Sequence, residues 1–142
     1  MSKHIYLIAS LRNEGVPALA NKIEAETGHT VFDSWFSPGP EADDYWRTYE
    51  KARGRTYEQA MDSYAATHVF EFDKSHIDRC DAGLLLLPAG KSCHLELGYI
   101  LGQGKPGFIY FPEEPERWDV MYKFSTALLF SEDKLMETLR AL

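Results

Sequence analysis

The sequence predicts an α/β fold built on a five-stranded, mostly parallel sheet, and three observations carry that reading. Short apolar runs rich in β-formers alternate with stretches of helical spacing along the chain. Residues 82–87, Ala-Gly-Leu-Leu-Leu-Leu, are continuously apolar over a strand's length, as expected for a central strand covered on both faces. The 142 residues, 44% hydrophobic and 26% charged, suit one domain (1–142) with one core, and they contain no internal repeat or low-complexity tract.

Taken in order, residues 5–9 form the first strand, and 17–27 follow with helical spacing at Leu19, Ala20 and Ile23 before a stop at Gly28. Residues 29–32 make a second strand, and 33–40 are dense in turn residues and read as a loop. The charged, aromatic stretch 43–66 looks helical with a break near Gly54, and 69–79 reads as a further helix. The central strand 82–87 ends at Pro88-Ala89-Gly90, after which Ser92 caps a helix running to Gly102. Residues 107–111 and 127–130 supply the last two strands, and Ser131 opens the final helix with Glu132 and Asp133 in its first turn.

Fifteen Lys and Arg against 22 Asp and Glu leave a formal charge of −7, which repels a phosphate backbone, and no stretch gathers a basic cluster. A nucleic-acid polymer is therefore not an expected partner. No apolar run approaches the roughly 20 residues that span a bilayer, so no membrane is expected either. The N-terminal residues lack a leader pattern, which points to the cytoplasm, and Cys80 and Cys93 then read as reduced thiols.

Parallel sheets bind ligands beyond the carboxyl ends of their strands. Here those positions hold Ser10, Arg12 and Asn13, then Asp33 and Trp35, then Gly90, Ser92 and Glu96. Glu96 falls in the opening turn of its helix, where the positive end of the dipole favours an ionised, nucleophilic carboxylate; a simple capping role fits the same position. Asp73, Asp78 and Asp81 lie close enough in sequence for one to pair with Glu96, and two carboxylates with separate roles are the usual equipment for cleaving a glycosidic bond. A solvated helix face explains the same trio. Ser10 and Arg12, with Ser92, offer hydroxyls and a guanidinium to a phosphate, while Tyr6 is either core or a hydroxyl aimed at the site.

Three motifs fail. A P-loop ending at Gly90-Lys91-Ser92 needs a glycine at Leu85. His94-x-Glu96 lacks the Pro-Cys-x-x-Cys of zinc deaminases, and the five histidines form no compact ligand set. No metal or other cofactor is expected.

The run Leu84-Leu85-Leu86-Leu87-Pro88-Ala89-Gly90-Lys91-Ser92-Cys93-His94-Leu95-Glu96-Leu97-Gly98 resembles the nucleoside 2-deoxyribosyltransferase family. Further likeness lies in Ile5-Tyr6-Leu7-Ile8-Ala9-Ser10-Leu11-Arg12-Asn13, in Gly28-His29-Thr30-Val31-Phe32-Asp33 and in Met121-Tyr122-Lys123. The resemblance implies a flavodoxin-like or Rossmann-like three-layer sandwich. It also implies Glu96 as nucleophile, Asp73 managing the proton of the base, and Tyr6 hydrogen-bonded to the Glu96 carboxylate.

The related deoxynucleoside 5′-monophosphate N-glycosidases imply phosphate contacts from Ser10, Arg12 and Ser92. At Gly90 the pattern departs from transferases of free nucleosides, which usually place an aspartate there for the sugar hydroxyls. Expected partners are a nucleoside or nucleotide, a free nucleobase and further copies of the chain, with Met121 and Tyr122 contributing across a homo-oligomer. The expected reaction is cleavage of the N-glycosidic bond with transfer to another base or to water, Trp35, Phe36 and Trp46 being candidates to stack on the base. A nucleotide-binding module without turnover, or a glycohydrolase of another riboside, are the alternatives.

Overall fold

The computed structural model describes residues 1–39 and 41–142. Five strands, β1 (His4–Ile8), β2 (Thr30–Phe32), β3 (Ala82–Leu86), β4 (Gly107–Tyr110) and β5 (Ala127–Leu129), form one sheet in the order β2-β1-β3-β4-β5. Every neighbouring pair is parallel, with Ile5 opposite Ala82, Gly83 opposite Gly107 and Phe108 opposite Ala127. That is the flavodoxin-like order, and the direction of winding reverses between β1 and β3.

Alternation along the strands builds two cores. Ile5 and Leu7, Leu84 and Leu86, and Phe108 and Tyr110 point to the face covered by α1 (Val16–Thr27) and α6 (Glu132–Arg140). Tyr6 and Ile8, Leu85, and Ile109 point to the opposite face, where Ile77 of α4 (Tyr64–Arg79) and Leu97 and Ile100 of α5 (Lys91–Gly102) cover them. The fully buried Ile and Leu side chains stabilise the sandwich by about 1.5–3 kcal/mol each. His29, 5% exposed, ties the first face together: its Nδ1 accepts the Lys3 N–H at 3.0 Å and its Nε2–H donates to the Leu139 carbonyl at 2.8 Å.

The link from β2 to β3 crosses over β1. It contains a 3-10 turn (Ser34–Phe36), α2 (Ala42–Ala52), α3 (Tyr57–Met61) and then α4. The segment expected as a loop at 33–40 thus contains a helical turn, while Pro40 lies outside the described residues. Helix α4 starts five residues before the expected Val69, because the Ser63 side chain accepts the Ala66 N–H at 3.3 Å and caps it there. Helix α5 is likewise capped by Gly90 in extended conformation and not by Ser92, which lies inside the helix.

Two glycines seat α5 on the sheet. A methyl group at Gly83 would lie 2.7 Å from Ile100 Cδ1, and one at Gly107 would lie 2.8 Å from Leu97 Cδ1, so either would make those side chains move. Among the described residues no helix is long and apolar enough to cross a membrane.

Candidate active site

Beyond the carboxyl ends of β1 and β3, at the reversal of winding, a cavity of about 670 Å³ opens between the strand ends and helices α2, α4 and α5. Tyr6 reaches it from the α4/α5 face of β1, Asp73 from α4, and Glu96 from α5. Ser10, Arg12, Trp35, Gly90 and Ser92 line it as well.

Glu96 is the sixth residue of α5, so it sits in the second turn and not in the opening turn the sequence implied. Dipole stabilisation fades past the first turn. Burial, followed by the neighbouring charge of Asp73, lifts the Glu96 carboxyl to about 8. Burial lifts Asp73 to about 6. Between those values the pair holds a single proton, and their order places it on Glu96 with the charge on Asp73.

Tyr6, 1% exposed, is desolvated and faces Glu96 and Asp73, so its hydroxyl stays protonated. The hydrogen bond expected from Tyr6 to Glu96 is absent among the described residues; Tyr6 and Glu96 are coupled through charge.

The acidic trio separates cleanly. Asp78 accepts from Lys74 Nζ at 2.7 Å, Tyr99 Oη at 2.7 Å and Gln103 Nε2 at 2.9 Å, and these donors hold its carboxyl at about 2. Asp81 accepts the His4 N–H at 2.8 Å and anchors the start of β1. Asp73 alone of the three lines the cavity.

Ser10 Oγ accepts the Arg12 N–H at 3.1 Å, which folds the loop after β1 toward Gly90. Ser10, Arg12 and Gly90 also border an adjoining hollow of about 680 Å³ that includes Asn13, whose Oδ1 accepts the Gly15 N–H at 3.0 Å. Trp35 forms a rigid wall, its indole N–H bonded to the Leu7 carbonyl at 2.8 Å. Trp46 lines the cavity too, whereas Phe36 packs edge-on against Trp35 at 6.1 Å and joins the core.

Two expected contributors stand apart. Asp33 precedes the 3-10 turn without lining the cavity, its carboxyl raised mainly by burial. Met121 is exposed in a second 3-10 turn (Val120–Phe124) and borders a different hollow, beside His94 and Tyr122. His94 holds that turn: its Nδ1–H donates to the Gly90 carbonyl at 2.7 Å, leaving Nε2 to accept from Tyr122 Oη at 2.9 Å.

Sequence reasoning missed Tyr45, His68, Val69, Phe72 and Cys93 as cavity residues. Val69 lies four residues before Asp73, one helical turn away, and Cys93 lies three before Glu96, so helical spacing outward from the two carboxylates points to both.

No family model and no curated protein matches the chain. Among solved structures, the chain is similar to a 2-deoxyribosyltransferase from the psychrotolerant bacterium Bacillus psychrosaccharolyticus. The TM-score is 0.63 and the identity 22%, over 96% of this chain and 95% of that one. The chain shares that enzyme's fold. The resemblance read from the sequence and the three-layer sandwich it implied therefore agree with the architecture, which the match follows along nearly its whole length.

Proposed function

We propose that this deoxyribosyltransferase-like chain cleaves the N-glycosidic bond of 2′-deoxyribonucleosides or their 5′-monophosphates. The observation that supports this best is the gathering of Glu96, Asp73 and Tyr6 in one cavity at the winding reversal, with the hydroxyls of Ser10 and Ser92, the Arg12 guanidinium and several aromatic side chains in its lining. The solved structure that shares the fold is a 2-deoxyribosyltransferase.

In this reading ionised Glu96 attacks C1′ and the C1′–N bond breaks. Its electron pair stays on the base nitrogen, and protonated Asp73 delivers the proton the base needs. Partial positive charge on the sugar is stabilised by the carboxylate beside it. The deoxyribosyl ester of Glu96 is then opened at C1′ by a second base or by water, the acceptor's proton returning to Asp73. Tyr6, kept neutral, lies beside both carboxylates and acts on them through its dipole. Ser10, Arg12, Gly90 and Ser92 surround the 5′ end of the sugar, and Trp35 and Trp46 flank the base. No cofactor is required. Asn13, Asp33 and Met121 do not line this cavity, so a role for Met121 would be played across a homo-oligomer.

Chromatographic assay of the purified protein with the four deoxynucleosides and their monophosphates, each with and without a second free base, tests the reading. New nucleoside formed only with added base establishes transfer, and free base released without it establishes hydrolysis. If all eight substrates are recovered intact while another N-riboside is cleaved, the proposal fails.

A further inference from the structure

A second hollow adjoins the cavity along helices α2 and α4: Tyr45, Trp46, Val69 and Phe72 line the cavity, and Tyr49, Arg53, Tyr64 and Ala65 line the neighbouring one. This outer stretch is a groove of about 1100 Å³, and His68 borders both it and the cavity.

Asp73 to His68 is five helical residues, a rise of about 7.5 Å that matches the reach of a purine. From His68 to Tyr64 the helix runs about another 6 Å, beyond any unmodified base. The groove is also built for polar atoms. On its floor Glu50, 1% exposed, takes the Arg55 Nη1–H on Oε2 at 2.7 Å. Its Oε1 meets no donor in good hydrogen-bond geometry among the described residues, the Ser63 hydroxyl being the neighbour that lowers the carboxyl together with Arg55, and it can accept an N–H or O–H from a group in the groove. Arg53, Gln59 and Tyr64 add donors around the rim.

Resting on the cleavage reading above, we infer that the preferred substrates carry a modified nucleobase, one bearing a polar side chain several atoms long on the edge away from the sugar. The base sits between Trp35, Trp46 and Phe72, and the side chain runs past His68 into the groove, where Glu50 Oε1 accepts from it and Arg53 donates to it.

The test compares 2′-deoxyadenosine and its 5′-monophosphate with N6 derivatives carrying six-atom chains that end in a hydroxyl, an ammonium, a carboxylate or a methyl group. At least one polar-ended chain is expected to raise kcat/KM about tenfold over both the parent and the methyl-ended compound. The double variant Arg53→Ala/Tyr64→Ala should bring that ratio to about 1 while leaving the parent's rate unchanged, since both side chains lie outside the catalytic cavity. Equal rates for modified and parent compounds, or an advantage that survives the double variant, overturn the inference and leave the cleavage reading intact. If nothing is cleaved, the cleavage reading fails, and calorimetric titration with the free modified and unmodified adenines decides the groove: tighter binding of a polar-chain base supports it and equal binding removes it.

Discussion

Trp35 donates its indole N–H to the main-chain carbonyl of Leu7 at 2.8 Å. Strand β2 pairs with β1 only as far as Phe32 opposite Tyr6, and Trp35 takes up a carbonyl one residue beyond the end of that ladder. The ring that walls the cavity is thereby fixed to the central sheet. Trp35→Phe keeps an aromatic ring and leaves the carbonyl without that partner. It should cost about 1 kcal/mol in urea unfolding and raise KM more than it lowers kcat; an unchanged KM would show that Trp35 is wall and not contact.

The shared proton of Glu96 and Asp73 sets a pH profile. The productive form has Glu96 ionised and Asp73 protonated, the reverse of the free pair, so the proton held by Glu96 moves to Asp73 when substrate is bound. Below about 6 the pair takes up a second proton and the nucleophile is blocked, and above about 8 it loses its last proton and the base leaves unassisted. We expect a bell in kcat/KM with limbs near those two values. A rate that keeps rising well above pH 8 would remove Asp73 as proton donor.

Removing the charge at Glu96 should separate stability from activity. The folded carboxyl lies at about 8 against an ordinary 4.5, so the folded state binds more protons and stability falls as pH rises through that window. Glu96→Gln escapes the loss. Activity should vanish, while the Tm advantage of the variant over the parent grows from pH 5 to pH 8.5, reaching about 3 °C or more. A constant Tm difference across that range would contradict the buried charge.

Arg12 lines both the cavity that holds Glu96 and the hollow beside Asn13, at the sugar's 5′ end in the proposed pose. Arg12→Ala should raise KM for deoxynucleoside monophosphates by about tenfold or more while changing nucleoside KM little. Steady-state kinetics on paired substrates checks this, and equal effects on both would remove the phosphate contact.

Sheet and outer helices were legible because their residues are sorted by burial. Residues 5–9 and 82–87 announce strands, and Leu19, Ala20 and Ile23 trace the inward face of α1. The crossover from β2 to β3 was not, since its helices bury little: the buried residue of α3 is Ala60 and that of α4 is Ile77. Their aromatic residues face the cavity and the solvent, so the usual apolar stripe is missing and the start of α4 was misplaced. The same displacement hid His68. Glu96 and Asp73 were singled out through a resemblance and their neighbourhood in the chain; the raised carboxyl of Glu96 was not foreseen, because it comes from burial and the nearby Asp73, which only the packed structure brings about, while the helix start two residues earlier moves it past the first turn.

The glycines at 83 and 107 connect the back of the sheet to the helix that carries Glu96. Ile100 and Leu97 press against those two positions, and Leu97 is the immediate neighbour of Glu96. One added methyl group there would force the buried Ile100 or Leu97 side chain to repack beneath the helix that carries the carboxylate, and a displacement of about 1 Å in a reacting group can cost about a hundredfold in rate. Reactivity in this chain is therefore tunable from behind, by substitutions that touch nothing a substrate could reach.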